Sequence, residues 1–295
     1  TSYYVLFNVN EAPFDDVRVR QAFSMAVNRD EVASACGSSY EASDFFVAKH
    51  LKSSASGKDW AEEVEEDPIG FDPDKAKELL AEAGYPDGEG FPAITYKYPS
   101  LQLDSDMAQA LQAQWKTNLG IEVELQAEEQ QVQVAERRSG DFQLTRMRWT
   151  ADFTDPFTFL SMYRSNDSYN DNKTNCPEYD ELMAQSNEES DPTARFELLH
   201  QAESVLVNDY CFGVPVLNSS NIYLVSTDIT NFEIDPSRNM IRTKYLVLGD
   251  SSSESKAKNR KTGRLRRWLS SCFEGSRKTV IFRKKNNRSR ENRRK

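Results

Sequence analysis

Apolar residues along this chain fall into short runs of two periods, two and about 3.6. Residues 3–8, Tyr-Tyr-Val-Leu-Phe-Asn, make an apolar run of strand length, while Ile94, Tyr96 and Tyr98 alternate with other residues as a second strand. Residues 121–125, Ile-Glu-Val-Glu-Leu, predict a strand with one solvated face. Helical stripes lie between and after these. An aspartate cap after Pro13 opens a helix over residues 14–32, with Val19, Phe23, Ala26 and Val27 on one face. Asp72 and Pro73 open another, whose stripe is Ala76, Leu79, Leu80 and Ala83 and which Gly84 and Pro86 stop. Residues 104–118 turn Met107, Leu111 and Trp115 inward before Gly120, and residues 177–188 and 191–208 predict two more helices. From 37 to 70 the pattern dissolves into Ser, Gly and acids around Phe45, Phe46 and Trp60, an irregular excursion.

Residues 146–160 are the centre of the chain. Phe142, Leu144 and Arg146 alternate along one face of a strand, and Asp155 and Pro156 supply the cap and first-turn proline of a helix that follows. Asp152 falls in the turn between. Local pattern fits a side chain that only closes this turn on the backbone, but a carboxylate placed there can also point at a ligand. Upstream, a short helical piece through Val132 and Ala135 leads to Arg137 and Arg138 in a polar segment, where a solvated arginine is expected. Downstream, residues 214–216 and 222–225 predict short strands that close the sheet, and residues 242–248 a last strand. This succession of helices and strands predicts an α/β layer with a mixed sheet.

Charge divides the chain. Of its 37 Lys and Arg and 47 Asp and Glu, 17 and 2 lie beyond position 255, which leaves 20 against 45 for the body. The body at −25 repels nucleic acid and anionic membranes, whereas the tail at +15, with Trp268 and Phe273, suits either. Residues 251–295 are expected to be a disordered linker and basic tail, and a reading-frame artefact is preferred over a nucleic-acid or anionic-lipid arm. Mean hydropathy is −0.71, and no run of about 18 apolar residues offers a membrane-spanning helix. Residues 1–10 lack the features of a signal peptide, so the chain is expected to begin inside a fold or after processing. Cys36, Cys176, Cys211 and Cys272 show no zinc spacing; Cys176 and Cys211 either pair or remain free thiols. With no G-x-S-x-G elbow, no phosphate loop and no catalytic setting for His50 or His200, an enzyme is not expected.

Five strings carry a family resemblance: Pro13-Phe-Asp-Asp-Val-Arg-Val-Arg-Gln-Ala-Phe-Ser-Met-Ala-Val-Asn-Arg29, Ala76-Lys-Glu-Leu-Leu-Ala-Glu-Ala-Gly-Tyr85, Trp115-Lys-Thr-Asn-Leu-Gly-Ile-Glu-Val123, Trp149-Thr-Ala-Asp-Phe-Thr-Asp-Pro-Phe-Thr-Phe-Leu160 and Tyr179-Asp-Glu-Leu-Met183. In this order they resemble the family 5 extracellular solute-binding proteins, the oligopeptide- and dipeptide-binding components of ABC importers. The resemblance implies a periplasmic-binding-protein-like II lobe over residues 1–250, a mixed sheet flanked by helices, with the first lobe and a lipoprotein or secretory signal upstream. It also implies an extracytoplasmic receptor without cofactor or metal, which encloses an extended peptide and delivers it to membrane permease subunits. Nickel, haem or a sugar are the alternative solutes in such a family.

By position, Asp152 is then expected to pair with the peptide ammonium, and Arg146 and Arg137 to meet the peptide carboxylate. For Arg146 a structural ion pair with a neighbouring acid fits equally well. Backbone groups at Arg148 and Thr150 are expected to pair with ligand backbone, and Trp149 to serve as core before platform. Gln130 and Asp104 stand where some oligopeptide binders carry an aromatic residue and a histidine. A single lobe offers one wall, so the isolated chain is expected to hold peptides weakly.

Overall fold

The computed structural model describes residues 1–64, 68–219, 223–235 and 240–248. The first compact unit runs to position 219 of these. Its centre is strand β1 (Ser2–Phe7), buried along its whole length because strands flank both its edges and both its faces are packed, Phe7 against Phe14 and Phe23 and Tyr4 against Phe46 and Tyr163. Helix α1 (Val17–Met25) starts where the Asp16 carboxylate accepts the Arg18 N–H at 2.9 Å, and helix α2 (Arg29–Cys36) starts at an Asn28 cap. The expected single helix over 14–32 is therefore two. Asn28 leaves helical geometry at ψ 99°, and the freed carbonyls after α1 are taken by one distant donor and one local one: Asn118 Nδ2 to Ala26 O at 2.8 Å, Arg29 Nη1 to Val27 O at 3.1 Å.

Strand β2 (Tyr40–Ala42) interrupts the irregular excursion, and helix α3 (Pro73–Glu82) follows with Asp72 capping Lys75 N–H at 3.0 Å. Next come strand β3 (Ile94–Pro99), helix α4 (Gln102–Leu119), strand β4 (Val123–Glu128), helix α5 (Gln130–Ser139) and strand β5 (Leu144–Trp149). The short helix α6 (Phe157–Leu160), helices α7 (Pro177–Glu188) and α8 (Pro192–Ser204) and strand β6 (Gly213–Ser219) complete the unit. The six strands order β2-β6-β1-β5-β3-β4; β1 is antiparallel to β5 and β6, and β3 is parallel to β4 and β5. The mixed sheet is as expected.

Residues 223–235 and 240–248 belong to a second unit. There strand β7 (Ile229–Thr230) pairs with β10 (Val247–Leu248), and β8 (Ile234–Asp235) with β9 (Met240–Ile241). The strand expected over 222–225 is absent from its described residues 223–225, and the one expected over 242–248 is a 3-10 turn, Thr243–Tyr245, ahead of the two-residue β10. The six-stranded sheet has β2 and β4 as its edge strands. The expected boundary at 250 and the basic tail lie outside the described residues.

Two packing features carry consequences. Gly120 ends α4 at φ 73°, and a Cβ there would stand 2.4 Å from the Asp87 carbonyl oxygen, whereas Gly140 ends α5 at φ 82° with open space around it. Elsewhere Glu203 of α8 anchors the loop after β2, its carboxylate accepting the Val47 N–H at 2.7 Å and the Trp60 indole N–H. The His200 ring stacks on Trp60 with centroids 3.6 Å apart. Burial lifts the Glu203 carboxyl from 4.5 to about 7 and pushes His200 from 6.5 down to about 4.

Gly120→Ala should lower stability by about 2 kcal/mol or more, and Gly140→Ala by only about 1 kcal/mol, in urea unfolding. Equal losses would remove the Asp87 contact as the cause. The two titrating groups act with opposite sign. Glu203, raised in the fold, contributes stability that is present below pH 4.5 and lost as pH rises through about 7; His200, depressed, contributes stability present above pH 6.5 and lost as pH falls through about 4. Relative to the unaltered chain, Glu203→Gln should gain stability from pH 4.5 to 7, on the order of 3 kcal/mol at most, and His200→Asn should lose it from pH 4 to 6.5. Urea midpoints across pH 4 to 7.5 test this, and parallel curves for all three proteins would contradict it.

Candidate functional site

Strand β3 lies between two parallel neighbours, and the chain leaves it first toward β4 and then returns to its other side as β5. The two crossovers cover opposite faces. Arg146 and Thr145, adjacent on β5, point to opposite sides of the sheet: Arg146 meets Asp104 of α4, and Thr145 Oγ1 accepts from Gln133 Nε2 of α5 at 2.7 Å. The strand order therefore reverses between β3 and β5, and the crevice outside their carboxyl ends is where open α/β sheets bind ligands. The turn bearing Asp152 is there.

Backbone pairing defines the edge beside it. β5 pairs with β1 over its full length, Leu144 to Trp149, but with β3 only at Leu144 and Thr145. Gln143 O accepts from Asn8 N–H on the β1 side, so by alternation the N–H and C=O groups of residues 144, 146, 148 and 150 point away from β1. The Arg146 carbonyl is taken by Gln133 Nε2 at 2.9 Å. No described strand faces Arg148 and Thr150 on that side, which leaves their backbone groups as the open edge.

The Asp152 carboxylate is exposed and forms no ion pair or hydrogen bond among the described residues. Turn closure, the local expectation for this residue, falls instead to Thr158, whose hydroxyl accepts the Asp152 backbone N–H at 3.1 Å and the Trp149 indole N–H at 3.5 Å. Asp155 accepts Phe157 N–H at 2.9 Å, although Pro156 and not Asp155 holds the N-cap position of α6, and it also forms a two-pronged ion pair with Arg195 at 2.8 and 2.9 Å. Trp149 is half-buried with Tyr169 edge-on at 5.2 Å, and Thr150 spends its hydroxyl on Thr1 Oγ1 at 2.7 Å.

The arginines differ from one another. Arg146 is buried against Asp104, with Nε to Oδ1 at 2.8 Å and an Nη2 to Oδ2 hydrogen bond at 3.3 Å, so of its two readings the ion pair is the one seen. Arg137 corrects the expectation of a solvated residue: it is buried, 3.2 Å from the Asp171 carboxylate. The helix that carries it turns Gln133 and Arg137, four residues apart, to the inside, a polar stripe that a search for apolar periodicity passes over. Burial pushes the carboxyls of Asp104 and Asp171 upward against the pull of these arginines. Arg148, on the same face as Arg146, stays exposed.

Large apolar side chains stand at the same end of the sheet. Leu101 follows β3, Val132 follows β4 and Phe153 follows β5, and with Tyr169 each is nearly half exposed, at 45–46%. Three cavities of about 340, 860 and 460 Å3 lie beside His200, Arg29 and Gln185, and Asp152 lines none of them. The crevice is thus an open wall with a free carboxylate, a free backbone edge and apolar margins. Among the described residues no acid, His and Cys cluster suits a metal ion, and Cys176 and Cys211 are buried free thiols.

Known proteins match this arrangement. The family model of bacterial extracellular solute-binding proteins, family 5 Middle, matches residues 1–171. The dipeptide-binding protein DppE of Bacillus subtilis is 30% identical over 228 residues, 77% of this chain and 42% of that protein. The probable deoxycholate-binding periplasmic protein YgiS of Escherichia coli is 29% identical over 248 residues, 84% of this chain and 45% of that protein. Among solved structures, Haemophilus influenzae OppA in complex with RPPGFSPFR superposes with a TM-score of 0.69 at 26% identity, over 84% of this chain and 48% of that one. The chain spans less than half the length of these relatives. With the family match running through the β3–α4–β4–α5–β5 unit and the Asp152 turn, the chain belongs to the bacterial extracellular solute-binding proteins of family 5.

Proposed function

We propose that this chain is a ligand-contacting lobe of the substrate-binding component of a peptide ABC importer, acting outside the cytoplasm and handing its solute to permease subunits. The observation that carries this is the exposed Asp152 carboxylate beside the open backbone edge of Arg148 and Thr150. An ammonium and a run of amides are what those two features complement, and every peptide offers both whatever its side chains. Neighbours named for dipeptide and oligopeptide binding support the reading. Asp152, Arg148, Thr150 and Trp149 are the ligand contacts we assign; Arg146 and Arg137 serve as buried supports. The lobe binds without turning its solute over, needs no cofactor, and leaves transport energy to a separate ATPase.

A second reading, a solute other than a peptide, has the deoxycholate-named relative in its favour. That solute is an anion, however, and gains nothing from Asp152.

The test is an NMR titration of the isotope-labelled chain with short peptides. Binding should be weak, should move backbone signals of residues 148–158, and should weaken by up to about fivefold on N-acetylation of the peptide or in Asp152→Asn, the range of an exposed ion pair. The peptides should be recovered uncleaved. Signals that stay still, or that respond equally to acetylated peptide, overturn the assignment; steady hydrolysis overturns the binder reading.

A further inference from the structure

Arg146 and Arg148, two residues apart on one face of β5, form a positive cluster toward its carboxyl end, while Arg137 lies on the opposite, α5 face of the sheet. A ligand carboxylate would be drawn to such a cluster. The Arg146 guanidinium, however, is already matched from within by Asp104, with side chains 5% and 3% exposed. Asp104 also acts on Arg148.

We propose that Asp104 occupies the place a solute's carboxylate would take, so that this lobe reads the amino end and backbone of its ligand and leaves the carboxyl end unread. The proposal rests on the peptide reading above and narrows it. For a ligand carboxylate to reach Arg146 it must displace Asp104, which exchanges one carboxylate for another with no net gain in attraction. The displaced Asp104 would then be a buried acid without its cation, a state costly enough to oppose the exchange. Arg148 alone can approach a ligand carboxylate, and an exposed pairing of that kind adds little. The preferred solutes are therefore peptides whose carboxyl end projects beyond the wall, and equally peptide amides or other extended amines.

C-terminal amidation separates this idea from the reading beneath it. In the same titration of the full chain, a peptide and its C-terminal amide should bind within about fivefold of each other, whereas contact with a buried guanidinium would cost the amide about tenfold or more. A loss of fivefold or more on amidation overturns the proposal even when N-acetylation behaves as expected; a failure of N-acetylation to weaken binding overturns the peptide reading instead. Asp104→Asn supplies a second arm. With Arg146 released, the free carboxylate should become the better ligand by about tenfold over the amide, and an unchanged ratio in a folded variant counts against Asp104 as the stand-in. Where that variant does not fold, the unaltered chain still decides.

Discussion

Everything at the candidate site follows from how little of β5 is paired with β3. Two residues of register, Leu144 and Thr145, join these strands before they part, while β1 holds β5 along its entire length on the other side. Full pairing on one edge fixes the strand; loss of pairing on the other exposes the backbone groups of Arg148 and Thr150. The divergence is not left raw. Gln133 fills the first vacated position at the Arg146 carbonyl, and the crossover helices α4 and α5 stand on opposite faces so that the opening faces outward between them.

Local sequence chemistry was legible wherever an element is decided by its own residues. Asp72-Pro73 begins a helix because an aspartate cap and a first-position proline satisfy the backbone within four residues, and Asp155 accepts the Phe157 N–H within its own turn. Residues 3–8 read as a strand by the same local logic, though burial of both its faces is set by its neighbours. Legibility failed where distant partners decide. Nothing near Asn28 reveals that Asn118 will donate to the Ala26 carbonyl where α1 ends early, and nothing near Arg137 reveals an acid 34 positions on, in the loop that carries Asp171. Thr158 was likewise invisible, since a hydroxyl that closes a turn across six residues resembles any other threonine in a short helix.

Asp152 illustrates the same division inside one residue. Its position in a turn was readable; whether its side chain or another group closes that turn was not, and the answer decides what the residue can do. Because Thr158 takes the backbone N–H, the carboxylate is released from structural duty. Asp104, by contrast, was noted only as a departure from a pattern, and its pairing with Arg146 turns that departure into a change in the charge presented by the wall.

The two kinds of acid on this lobe also differ in what desolvation does to them. Asp104 and Asp171 have already met the cost of burial and are held by guanidinium groups, so their neighbourhood is close to electrically settled. Asp152 has met none of that cost. In water an exposed carboxylate attracts an ammonium by about 1 kcal/mol at most, and the attraction grows only when surrounding water is excluded. The apolar side chains at 101, 132, 153 and 169 stand where such exclusion would have to begin, because a surface laid over them would gain from their burial and would dry the carboxylate at the same time. On the proposed reading, the wall sets which end of a solute is recognised and in what direction its backbone runs. How tightly the solute is held depends on what closes over it.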